Sequence, residues 1–107
     1  MAVKQQFKSF DDLVNGANKP LLVDFYADWC GPCQMMAKIL ADVGSQMKGE
    51  VQVVKIDTER YPEIASKHQI HALPTLLLIN QGETLDRMEG VLTADQLISR
   101  VRNVLNA

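Results

Sequence analysis

An α/β domain with a mixed central sheet and helices on both faces is what this sequence predicts, and three observations predict it. Compact apolar and β-branched runs with almost no alternation, such as Leu21–Ala27, read as strands covered on both sides. Between them lie segments whose apolar residues recur at helical spacing. Near the far end, a Gly-containing turn joins two further strand-like runs into an antiparallel hairpin, which makes the sheet mixed.

Each element has its own signal. Ser9, with Asp12 three residues on and Leu13 and Val14 following, is a capping-box signature for a short first helix that Gly16 closes. Lys19-Pro20 ends that segment, and the strand Leu21–Ala27 follows, with Asp24 as its polar exception. After Asp28, Trp29, Cys30 and Gly31, Pro32 suits the first turn of a helix, and Met36, Ile39, Leu40, Val43 and Met47 carry that helix onward. Val51–Ile56 reads as a second buried strand, and Tyr61-Pro62-Glu63 opens a short helix ending near Lys67 or His68. Leu73-Pro74 interrupts the chain before the strand Thr75–Asn80, and Gln81-Gly82-Glu83 turns it into Thr84–Glu89. Thr93, three before Gln96, caps a last helix with Leu97, Ile98, Val101, Val104 and Leu105 on its apolar face.

At 107 residues and 47% apolar content, residues 1–107 fit one domain able to bury its own core. The net charge of -2, with acids and bases interleaved, offers no basic stripe and argues against nucleic acid as a ligand. The apolar runs fall far short of the roughly 20 residues a bilayer span requires, so no membrane segment is expected. Met1–Lys8 lacks the apolar core of a secretory signal and the Arg- and Ser-rich character of a transit peptide, which points to a cytoplasmic or already processed chain. The 2 cysteines are too few for a secreted disulfide scaffold, and a bridge between Cys30 and Cys33 would enclose too short a loop to stabilise much. Chemistry is the better reason for the pair.

That chemistry follows from position. Two thiols at i and i+3, the first at a helix start, can form and reopen a bridge without unfolding anything. Unpaired N–H groups and the helix dipole stabilise negative charge at Cys30, which makes it the nucleophile. Cys30 attacks a target disulfide, a mixed disulfide forms, and Cys33 resolves it by attacking the Cys30 sulfur. Gly31 and Pro32 set the turn; Pro32 removes a donor and stiffens the helix start, so their effect is on redox poise.

Trp29-Cys30-Gly31-Pro32-Cys33 resembles the active-site pentapeptide of the thioredoxin family, and the similarity extends over essentially the whole chain. The resemblance implies the thioredoxin fold, general reduction of protein disulfides, and recycling by a dedicated reductase that depends on NADPH or ferredoxin. It also implies a monomer, located in the cytoplasm or the plastid stroma, with no cofactor beyond the Cys30–Cys33 disulfide. Asp24 matches the family's buried carboxylate, which accepts the proton of the resolving thiol, and Lys55 matches a lysine that modulates it. Leu73-Pro74 with Thr75 looks like the family's cis-proline loop, beside which a substrate backbone pairs. Gly90 matches a glycine lining the same groove, and Trp29 is placed for contact with a partner. Tyr26 stands where many members carry a second tryptophan, and Lys38 where many carry a helix-kinking proline, so the long helix is expected to be straighter. The tracts Asp57–Pro62, Ala72–Thr75 and Arg87–Gly90 look most like the y-type members of plastids and cyanobacteria.

Simpler readings stand beside these. The cysteine pair with His68 and His71 could make a zinc site on paper, but the interval is too long for a compact finger and the pair follows a strand into a helix, so no metal is expected. His68 and His71 are more simply a helix-end and a loop residue. Asp24 could be a hydrogen-bonded core group and Lys55 merely solvent-facing. A binding module that uses the groove beside Trp29, Pro74 and Gly90 is the alternative class, and an oxidase or isomerase the alternative enzyme; Gly31-Pro32 resembles the reducing members.

Overall fold

The computed structural model describes residues 2–4 and 9–107, the first three by their backbone. The rest of the stretch read above for a leader lies outside them. Along the described chain run β1 (Ala2–Lys4), α1 (Phe10–Gly16), β2 (Leu21–Tyr26), α2 (Gly31–Gln46), β3 (Gln52–Asp57), α3 (Pro62–Lys67), β4 (Thr75–Asn80), β5 (Glu83–Glu89) and α4 (Ala94–Leu105). The strands form a sheet in the order β1-β3-β2-β4-β5. The β1–β3 and β3–β2 pairs are parallel, whereas β4 runs antiparallel to both β2 and β5, which gives the mixed sheet that the sequence predicts.

Local chemistry explains the boundaries. Ser9 accepts from the Asp12 N–H at 3.0 Å, and Thr93 and Gln96 close both halves of a capping box at 3.1 and 3.0 Å. β3 starts one residue later than its apolar run, because the Val51 N–H is still engaged by the Met47 carbonyl and Gln52 is the first to bond across, to Pro20. β5 starts at Glu83 because the hairpin loop is only Gln81 and Gly82, with φ of 52° and 81°. Two successive left-handed residues match a type I′ turn and the twist of the strands it joins. A Cβ on Gly82 would come within 2.7 Å of Asn15 Oδ1, the end of an exposed side chain that can turn aside, so it is φ that calls for glycine there.

The strand β1 had no sequence counterpart. Three residues show no period of their own, and what makes Ala2–Lys4 a strand is its pairing along Val53–Lys55.

Alternation in β2 separates two cores. Leu22 joins Val53, Leu76 and Leu78 beneath α2 and α4, through Met36, Leu40, Leu97 and Val101. Leu21, Val23 and Phe25 face the other way, onto Phe10 and Val14 of α1. Asp24 shares the face of Leu22, under α2, and its side chain is fully buried.

Candidate active site at the start of the second helix

β2 ends at Tyr26, and the chain crosses Ala27, Asp28 and Trp29 to reach α2. The Cys30 N–H bonds to the Ala27 carbonyl at 3.2 Å, and the Gln34 side-chain amide bonds to the Asp28 carbonyl at 3.2 Å, so the crossing is tied to the helix it feeds. Cys30 is the N-cap of α2, and its Sγ accepts from the Cys33 N–H at 3.2 Å. Gly31 and Pro32 fill the first helical positions, as the sequence predicts, and α2 runs unbroken past Lys38. Cys30 and Cys33 form a disulfide with Cα atoms 5.2 Å apart, within the range such bridges need. The cap N–H that meets the Cys30 sulfur in the bridge is equally placed to stabilise its thiolate once the bridge opens.

Trp29, 70% exposed, stands beside the two buried cysteines. A groove of about 450 Å³ opens there, lined by Trp29, Cys30, Gly31, Pro32, Thr58, Ile70, His71 and Leu73. Of the site residues expected from the sequence, five, Trp29, Cys30, Gly31, Pro32 and Leu73, therefore meet in one groove. Pro74 and Gly90 lie behind Leu73: the Leu73-Pro74 peptide is cis, Pro74 is buried, and the Gly90 N–H bonds to the Pro74 carbonyl at 2.9 Å. Gly90 has φ 87° and open space where a Cβ would sit, so within the chain it is conformation, not crowding, that calls for glycine.

Thr58, Ile70 and His71 were not anticipated as groove residues. Thr58 is held by two bonds to the Tyr26 carbonyl, from its N–H at 2.9 Å and its hydroxyl at 3.1 Å. Ile70 and His71 are brought in by Arg87, whose guanidinium donates to the His68 carbonyl at 2.8 Å and also to the Gln69 carbonyl. Gln69 itself takes φ 54°, a left-handed turn at the end of α3. No local pattern marks an arginine on β5 as the clamp of a loop eighteen residues earlier.

His68 and His71 part company. The His68 ring meets Phe10 edge-on at 5.0 Å, and burial, together with the nearby Lys67 and Arg87, lowers its pKa. His71 lies in the groove wall. Among the described residues, no three potential metal ligands gather.

Beneath the helix, burial pushes the Asp24 carboxyl up to about 7, and Lys55, its cross-strand partner, opposes the rise. Neither Asp24 oxygen has a hydrogen-bond partner among the described residues. Lys55 is half-buried rather than solvent-facing, its ammonium 4.8 Å from the centre of the Tyr26 ring.

A bridge of neighbouring cysteines at a helix N-terminus, with an exposed aromatic and an open groove beside it, defines a thiol–disulfide oxidoreductase. The thioredoxin family profile matches residues 1–103, and the chain belongs to the thioredoxin family. It is 58% identical to a thioredoxin-like protein of Synechocystis sp., over 95% of this chain and 97% of that one. It is 56% identical to chloroplastic thioredoxin Y2 of Arabidopsis thaliana, over 97% of this chain and 62% of the relative, so it spans about three-fifths of that protein. Chloroplastic thioredoxin Y1 of the same plant is 57% identical over 97% of this chain and 60% of its own length, in line with the y-type tracts read in the sequence. Among solved structures, chloroplastic thioredoxin z superposes with a TM-score of 0.87 at 34% identity, covering 97% of this chain and 94% of that one.

Proposed function

We propose that the chain is a monomeric, general reductase of protein disulfides. The Cys30 thiolate attacks one sulfur of a target disulfide, forming a mixed disulfide and releasing the other sulfur as a thiolate. Cys33 then gives its proton to the Asp24 carboxylate and attacks Cys30 Sγ; the second target sulfur leaves, and the Cys30–Cys33 bridge closes. Two electrons pass to the target, and a reductase that draws on NADPH or ferredoxin returns them to the bridge. Lys55 modulates Asp24, while Gly31 and Pro32 set the redox poise. Trp29, Leu73, Pro74 and Gly90 receive the substrate backbone. The chloroplastic relatives favour a plastid stroma or its cyanobacterial counterpart over other compartments.

The observation that carries this reading is the cap bond from the Cys33 N–H to the Cys30 sulfur beside an open groove. Cys33→Ser tests it. With attack intact and resolution lost, protein substrates accumulate as mixed disulfides on Cys30, visible on non-reducing gels and absent from the Cys30→Ser protein; no such adducts would sink the assignment of roles. A Cys30→Ser protein that kept full biological activity would favour the binding module instead.

A further inference from the structure

Lys55 stands where an ion pair with Asp24 is expected and makes none. The two are direct partners across β2 and β3, and alternation places both on the face that α2 covers, with Leu22 and Val53. Both carboxylate oxygens are nonetheless unpartnered among the described residues. The Lys55 ammonium lies instead over the Tyr26 ring, 4.8 Å from its centroid and within reach of cation–π attraction. Tyr26 is the next residue after Asp24 on the same face of β2, at the half-buried end of the strand.

We propose that Tyr26 is a positioning residue whose ring holds the Lys55 ammonium off the Asp24 carboxyl, leaving that carboxyl free to take and return the Cys33 proton. The proposal rests on the reading of Asp24 as proton acceptor. Lysine carries its charge on a flexible four-carbon stem, so the same backbone position allows the ammonium to reach either the ring or the carboxylate. A cation in contact with a carboxylate stabilises the charged form and makes it a weaker base. Over the ring, Lys55 still acts on Asp24 through space but donates no hydrogen bond to it, and burial remains the larger influence. The ring face is what the device needs; the phenol hydroxyl is not.

Other charges bear on the pair. Asp57, partner of Tyr26 across the strands and two residues beyond Lys55, stands at the same strand end. Asp28 and Arg60 act on Tyr26 from the flanking loops. Lys48 shares a small cleft with Lys55 beside α2. On the other side, β4 sets apolar Leu76 opposite Asp24.

Two measurements on the full chain test this. In the unmodified protein, the Lys55 side-chain methylene protons should show upfield ring-current shifts in NMR spectra; ordinary shifts would overturn the proposal without any variant having to fold. The Asp24 carboxyl carbon is then titrated in the oxidised protein and its variants. Tyr26→Leu should lower the Asp24 midpoint by roughly half to one pH unit, and Tyr26→Phe should leave it in place. Lys55→Met should raise it, and Tyr26→Leu should shift nothing further in that background. An unmoved midpoint in Tyr26→Leu, or an equal shift with and without Lys55, removes Tyr26 from the chemistry. A midpoint that moves while the pH profile of disulfide reduction stays put removes Asp24 as acceptor instead.

Discussion

Asp24 and Asp86 are two aspartates on strands of one sheet, and they are treated in opposite ways. Asp86, on β5, accepts from Arg100 Nε at 2.8 Å and Arg100 Nη2 at 3.0 Å, and from the Arg87 N–H at 2.8 Å. The bond from the Arg100 side chain is the main reason its carboxyl lies below the usual range. Asp24, on β2, is fully buried, both oxygens lack a partner among the described residues, and burial carries it up to about 7. A paired carboxylate stays ionised near neutral pH and helps to hold a strand to a helix. A buried carboxylate without such a partner weighs against folding, and a proton-accepting role is the use for it that the proposed mechanism offers.

The largest test of that contrast is Asp24→Asn. Loss of a base poised near neutral pH should slow protein-disulfide reduction roughly ten- to hundredfold at pH 7, while the variant still folds; unchanged kinetics would make Asp24 as inert as Asp86. The same variant reads out stability. Folded Asp24 keeps its proton up to about pH 7, whereas the unfolded chain releases it near 3.8. The folded state therefore holds the extra proton between these values, and stability falls as pH rises through that window. Relative to acid, where both states are protonated, ionisation of Asp24 costs roughly 4 kcal/mol once both states are ionised. Urea unfolding on either side of the window should show this decline in the parent and its absence in Asp24→Asn.

Next in size is Arg87, which belongs to the Asp86 edge by position and to the groove by its bonds. Arg87→Ala should lower kcat/KM for a protein disulfide roughly three- to tenfold, as expected for the loss of hydrogen bonds that hold a wall in place, and leave a small aromatic disulfide unaffected. Arg87→Lys should not restore it, since one ammonium does not reproduce the guanidinium fork across two successive carbonyls. Equal losses for both substrates would place Arg87 with the scaffold alone.

The smallest effect belongs to Asp86→Asn. An ion pair at a partly exposed edge contributes about 1 kcal/mol, so thermal unfolding should come about 4–8 °C earlier with disulfide reduction unchanged. Because its folded value lies below 3.8, this stabilisation is present above about pH 4 and disappears as pH falls further. A loss of activity at neutral pH would break the division between a working and a structural aspartate.

Much of this molecule is written in local sequence. The caps at Ser9 and Thr93, the type of every element from α1 to α4, and the cysteine pair at a helix start each depend on neighbours within four residues, where chain geometry leaves little choice. The reactive pair was legible for the same reason: N-cap, proline and second thiol lie in one turn. What only the tertiary structure decided depends on residues far apart in the chain. β1 exists through its pairing with β3, and the groove wall at Ile70 and His71 is set by Arg87. Lys55 could have faced solvent, the carboxylate or the ring; parallel pairing put it opposite Asp24 and within reach of Tyr26. Whether a charge is matched or left bare is a property of three-dimensional neighbours, and periodicity along one strand carries no record of them.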